Sequence, residues 1–170
     1  MGAAGESRTG SWLPAVWRLC SAAMSLFFTL AACVQVNDPD AGFWMAGYAV
    51  PAVLSAFTAA HPPVTETRVW RRVADLHVTV CSAAAAALGW SLYREGATRI
   101  LQHEEGREFS GLLLALLWLL LSRRSGRSPV GVLRVSAAVS IAVFPFVSWT
   151  YYHVHKELRS SWPRHCTTVL

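Results

Sequence analysis

Five apolar runs, parted by short polar segments, restrict this chain to one broad class of fold. They cover Leu19 to Val36, Phe43 to Ala60, Val73 to Tyr93, Phe109 to Ser122 and Val130 to Tyr152. A helix that crosses the hydrocarbon core needs roughly 20 such residues. The expected fold class is therefore all-α: a polytopic membrane helix bundle of about five transmembrane helices. The chain has 170 residues, 54% of them hydrophobic and 15% charged, with eight tryptophans. A soluble domain of that length needs a more polar surface. The expected organisation is a disordered N-terminal segment (residues 1–12), the bundle (13–152) and a polar C-terminal tail (153–170), in the lipid bilayer as an integral multi-pass protein.

The formal charge of +5 does not point to nucleic acid. The arginines form short groups beside apolar runs, which is how membrane topology uses them. No recognition-helix pattern or basic stripe with interleaved aromatics appears, so no nucleic-acid partner is expected. The four cysteines form no framework: Cys20, Cys33 and Cys81 lie inside apolar runs and Cys166 in the tail, without metal-type spacing. They read as small hydrophobes.

The first two runs are separated by Gln35-Val36-Asn37-Asp38-Pro39-Asp40. Pro39 ends one helix, and Asp40 is placed to cap the next. Trp12 to Arg18 reads as interfacial, with Trp12 and Trp17 as anchors. Leu30-Ala31-Ala32-Cys33 matches a lipoprotein cleavage box, but the run is long for a signal peptide and leads straight into the polar turn. An uncleaved first helix is expected. Pro51 lies inside the second run. It is tolerable if a neighbouring helix satisfies the carbonyl it frees. His61-Pro62-Pro63 closes that run, and Thr65 to Arg72 reads as a short basic loop. The centre of the third run, Ser82 to Ala87, is nearly all small, which suits close helix approach. That helix is expected in the middle of the bundle. The fourth run, from Phe109 to Ser122, reaches only about 21 Å. It spans only if the helix starts near Glu104. The fifth run has Pro145 late in it and ends in an aromatic belt from Phe144 to Tyr152.

Alternating spans put Arg8, Arg18, Arg68, Arg71, Arg72, Arg123, Arg124, Arg127 and Arg134 on one side. The other side has Arg94, Arg99, Arg107, Lys156, Arg159 and Arg164. The bias predicts a cytosolic N-terminus and a C-terminus outside the cytosol. Thr167-Thr168-Val169-Leu170 fits a PDZ-type ligand read at Thr168 and Leu170. That topology removes it from cytosolic PDZ domains, so the ending is expected to be fortuitous.

Several stretches resemble the transmembrane protein 220 family of small multi-pass membrane proteins. They are Val34 to Asp40 with Tyr48 and Pro51 downstream, Ile100 to Glu108 with Ser110-Gly111, Phe144-Pro145-Phe146, and Lys156-Glu157-x-Arg159-Ser160-Ser161-Trp162-Pro163. The resemblance covers nearly the whole chain apart from its N-terminal residues. It implies a polytopic membrane protein and brings no catalytic residues with it.

Five spans place Asn37, Asp38, Asp40, His103, Glu104, Glu105 and Glu108 on one membrane face, with His153 and His155. Carboxylates and imidazoles are ligands for divalent metals and parts of proton relays. Glu104 and Glu108 are one turn apart on a helix. Two readings stand open for this candidate polar site. One is a metal- or proton-linked carrier, or a membrane enzyme, with the site on the non-cytosolic face. The other is a capped turn plus a solvated acidic loop, in a non-catalytic scaffold acting through helix packing and its tail. The metal and any cofactor are unspecified, as is homo- or hetero-oligomerisation. No phosphate loop, His-x-x-x-His pair or nucleophile elbow supports an enzyme. Asp75 is expected to pair with Arg71 or Arg72 on its own helix face, and His77 is not read as a ligand.

Overall fold

The structure, a computed structural model, describes residues 12–37, 40–96, 104–123 and 131–155. The expected disordered segment, most of the tail with its PDZ-like ending, the remaining loop residues, Asp38 and His103 lie outside the described residues. Five α-helices follow in order: α1 (Leu13–Val34), α2 (Ala41–Ala60), α3 (Arg68–Arg94), α4 (Glu104–Ser122) and α5 (Val132–Val154). No strand occurs among the described residues. The expected all-α membrane bundle is the fold. Four of the helices, α1, α2, α3 and α5, are long and apolar enough to cross a membrane.

Helices α1 to α4 begin earlier than their apolar runs, α1 and α3 by a turn or more against the expected boundaries. α1 starts at Leu13 with proline in its first turn, where a missing N–H costs nothing. Trp17, expected as an interfacial anchor, is therefore helical and fully buried, its ring stacked on that of Trp118 at 5.7 Å. Likewise the expected loop from Thr65 to Arg72 is a 3-10 turn (Pro62–Glu66) followed directly by α3. Thr67 caps α3, its hydroxyl accepting from the N–H of Trp70 at 3.3 Å. Gly131 precedes α5 in an extended conformation.

The helices keep constant registers. Between α1 and α2, Ser25 Oγ donates to the Ala52 carbonyl at 2.9 Å, and Arg18 Nε donates to that of Ala59 at 2.7 Å. The interval from Arg18 to Ser25 equals that from Ala52 to Ala59, so the pair is antiparallel. Arg18 also covers the last carbonyls of α2, where a cation is favoured. Between α2 and α4, Tyr48 meets Gly111 and Trp118 Nε1 donates to Ser55 Oγ at 2.9 Å. Both pairs are 63 residues apart, so α2 and α4 are parallel. Phe27 and Phe146 meet edge-on at 6.2 Å at matching points along α1 and α5, which are also parallel.

Helix α4 runs antiparallel to α3. Arg123 pairs with Asp75 at 2.6 Å, and Phe109 lies 3.2 Å from where a β-carbon on Gly89 would sit. The intervals Asp75 to Gly89 and Phe109 to Arg123 are equal, about 21 Å of helix. Its helix begins at Glu104, as length requires, and its 19 residues extend about 28 Å.

Two expectations about α3 are corrected. It packs against α4 and α2 at the edge of the bundle, rather than in the middle. Ser82, Ala83, Ala86 and Ala87 are exposed, and only Ala85 of that stretch is buried. The middle belongs to α1 and α4, which bury Trp17, Met24, Phe28, Leu112, Ala115 and Trp118. Large side chains fill that centre, and α3 faces it with few residues. Asp75 also takes its partner from α4 rather than from its own helix, because Arg71 is held by Glu66 and the Thr65 carbonyl.

Candidate functional site

One end of the bundle gathers the starts of α1, α3 and α5 and the ends of α2 and α4. The described basic contacts through Arg18, Arg71 and Arg123 lie there. The opposite end gathers the end of α1 and the starts of α2 and α4, and so the described acidic candidates. Asn37 closes a 3-10 turn (Gln35–Asn37) after α1, Asp40 precedes α2, and Glu104, Glu105 and Glu108 belong to the first turns of α4.

The role of Asp40 differs from the expected one. It stands at the N-cap position of α2 without a side-chain capping bond. Its Oδ2 accepts instead from Trp44 Nε1 at 2.8 Å, one turn along the helix. The indole N–H of a mostly buried Trp44 needs an acceptor, and Asp40 supplies it. Trp44 in turn stacks on Tyr48 at 6.5 Å. Asp40, Trp44 and Tyr48 form one ladder at helical spacing along α2.

Tyr48 connects this ladder to α4. Its hydroxyl lies against Gly111, where a β-carbon would overlap it and stand 3.0 Å from Cζ. Glycine is required there by the close approach of a phenol, not by backbone conformation. Glu108 is half-buried, one turn before Gly111, and its carboxylate acts electrostatically on the Tyr48 hydroxyl. Ser110 Oγ, beside it, donates back to the Gly106 carbonyl at 2.8 Å.

Two residues outside the expected set adjoin this level. Cys81 also lies within electrostatic reach of Tyr48. Its Sγ is 3.2 Å from His77 Nε2. The His77 ring meets the Gly47 carbonyl of α2. Pro51 frees that carbonyl, because proline offers no N–H four residues on. The expected satisfaction of a proline-freed carbonyl by a neighbouring helix is therefore what His77 does. A sequence signal existed: an imidazole in one apolar run and a helix proline in the run before it. Tyr48 had no such signal, since an aromatic in an apolar run is ordinarily core.

Among the described residues, no group of three or more His, Cys, Asp or Glu side chains is gathered closely enough to hold a metal ion. Cys20 and Cys81 are buried, as small hydrophobes should be, whereas Cys33 is exposed.

Long apolar helices in fixed register, with charged side chains gathered toward their ends, define an integral multi-pass membrane protein. The chain belongs to transmembrane family 220. The family model described as "Transmembrane family 220, helix" matches residues 27–124. The chain is also similar to Transmembrane protein 220 of Xenopus laevis, with 46% identity over 155 residues, 91% of this chain and 84% of that relative. The resemblance read from the motifs is borne out. No solved structure matches the chain.

Proposed function

We propose that this protein is a proton-linked membrane carrier whose polar site centres on Glu108 and Tyr48, at the acidic end of the bundle. The observation that carries the reading is the position of Glu108. It lies half-buried in the first turns of α4, one turn before Gly111, against which the buried Tyr48 of α2 packs its hydroxyl. An ionisable group inside a membrane bundle is costly and is retained for a task. Carboxyl and phenol side chains are both groups that pass protons. Asp40, just before α2, and Glu105, in the first turn of α4, sit at the same end of the bundle. That end faces away from the cytosol if the arginine bias sets the orientation.

The test is complementation of a deletion strain, read by metabolite and ion profiling. Wild type and E108D restore the profile, and E108Q does not, although it reaches the membrane at normal abundance. Full restoration by E108Q would replace this reading with that of a scaffold acting through helix packing.

A further inference from the structure

Helix α3, with 27 residues, is the longest of the five. Along its axis about 28 Å separates Asp75 from Arg94. That distance matches the roughly 30 Å hydrocarbon core of a bilayer. With the Asp75–Arg123 ion pair at one membrane surface, the last turn of α3 stands at the other. Gly96, at φ +64°, stops the helix there. Beside this turn lies a cavity of about 380 Å³, lined by Ala87, Trp90, Ser91, Arg94 and Glu95. Sites for small molecules span about 300–1,000 Å³. Trp90 and its neighbour Tyr93 are exposed, with ring centroids 5.9 Å apart. Aromatic side chains gather at headgroup level in membrane proteins. That tendency explains the rings alone. It does not explain two charges of opposite sign lining one cavity. Arg94 and Glu95 are both exposed, and among the described residues they make no ion pair with each other.

We propose that the cavity at the end of α3 seats the headgroup of a zwitterionic phospholipid. The charges in its wall match those of such a headgroup. Arg94 takes the phosphate, which a guanidinium binds through two parallel N–H groups. The Ser91 hydroxyl, in the same wall, is a further donor to it. Glu95 takes the ammonium, and the negative end of the helix macrodipole favours a cation at the same place. Trp90 adds an aromatic surface, which attracts a quaternary ammonium. Glu95 and the helix end also oppose a headgroup that carries negative charge alone, so the site discriminates by repulsion as well as attraction. Toward the membrane centre, Ala83 and Ala87 are exposed one turn apart, and Ala87 belongs to the cavity wall. Their small side chains leave a shallow lane for the acyl chain below the headgroup. The site does not depend on the carrier reading.

The experiment is native mass spectrometry of the full chain, released from detergent micelles that hold phosphatidylcholine and phosphatidylglycerol in equal amounts. The wild type retains phosphatidylcholine in preference. R94Q lowers retention of both lipids by about fivefold, the upper scale for an exposed ion contact. E95Q lowers retention of phosphatidylcholine and raises that of phosphatidylglycerol, so the preference is lost. W90A weakens phosphatidylcholine alone. R72Q, at an exposed arginine near the other end of α3, changes neither. If R94Q does not fold, E95Q carries the test, since it keeps the arginine. Equal retention of the two lipids by the wild type, or a preference untouched by E95Q, overturns the proposal. Displacement of phosphatidylcholine by an equal concentration of soluble glycerophosphocholine overturns it too, by making the site one for free phosphate esters. A dimer that W90A disperses, with lipid retention unchanged, assigns this face to a second copy of the chain and overturns it as well.

Discussion

The hydroxyl of Tyr48 occupies the space that any side chain at Gly111 would need. This contact sets how closely α2 and α4 approach at the acidic end, as Ser55 and Trp118 do farther along. It also brings a phenol on one helix beside a carboxylate on the other. The closeness of that packing and the chemistry proposed for it have the same origin.

The G111A variant separates two opposing effects. Alanine improves helix propensity over glycine by about 1 kcal/mol, while overpacking costs about 1–3 kcal/mol. Net destabilisation is expected in the wild-type background, and stabilisation where Y48A has already vacated the space. Unfolding in detergent, measured for both single variants and the double, reads the difference. An equal effect of G111A in both backgrounds would show that Tyr48 does not fill that space.

The Trp118 indole donates to Ser55 in a fully buried setting. Removing the acceptor with S55A should cost about 1 kcal/mol, near the upper part of the range found for such bonds in membranes. W118F should cost more, because it also removes part of the stack on Trp17. S55A should then add little on top of it. Additive losses in the double variant would count against the bond.

Pro51 and His77 should be coupled through the Gly47 carbonyl. H77A leaves that carbonyl without its partner, at a cost of about 1–2 kcal/mol. In a P51A background, the alanine N–H takes over, and H77A should cost less than half as much. Thermal unfolding of the three variants tests this. A cost of H77A that ignores position 51 would assign His77 to packing alone.

Helix α4 is expected to cross the membrane in spite of its charged start. Its register along α3 places Ser110 and Arg123 near opposite ends. Single cysteines at S110C and R123C should therefore react with impermeant reagents from opposite sides. Labelling of both from one side would place α4 in the interface.

An epitope after Leu170 should be hidden from cytosolic antibody. The arginines at the start of α1 and before α3 and α5 outnumber the cations near the tail, and short loops obey the orientation rule best. Staining after selective plasma-membrane permeabilisation, with internal membranes sealed, would reverse the topology and restore the PDZ-like ending as a ligand.

Much of the fold is legible in the sequence because lipid is an undemanding solvent to predict. Run length sets how many helices there are, and Glu104 begins α4 because the apolar residues after it are too few. His61-Pro62-Pro63 marks the end of α2 through its backbone chemistry. The candidate site is less legible. Asp40 has the residue type and position of a cap, but an indole one turn away takes its oxygen. Asp75 has two arginines at helical spacing, but one across the seam takes it. The small residues of α3 suit the centre of a bundle equally well as its edge.

By itself, then, the sequence determined the class, the helices and the end of the bundle at which the acids collect. Those follow from hydrophobicity and from backbone rules that act within a few residues. Only the tertiary structure decided that Tyr48 lies against Gly111, that His77 serves the carbonyl freed by Pro51, and that α1 and α4 fill the centre. Those contacts depend on the rotation of each helix about its axis. Rotation is set by how large side chains from several helices fit together, and no local stretch of the chain encodes that fit.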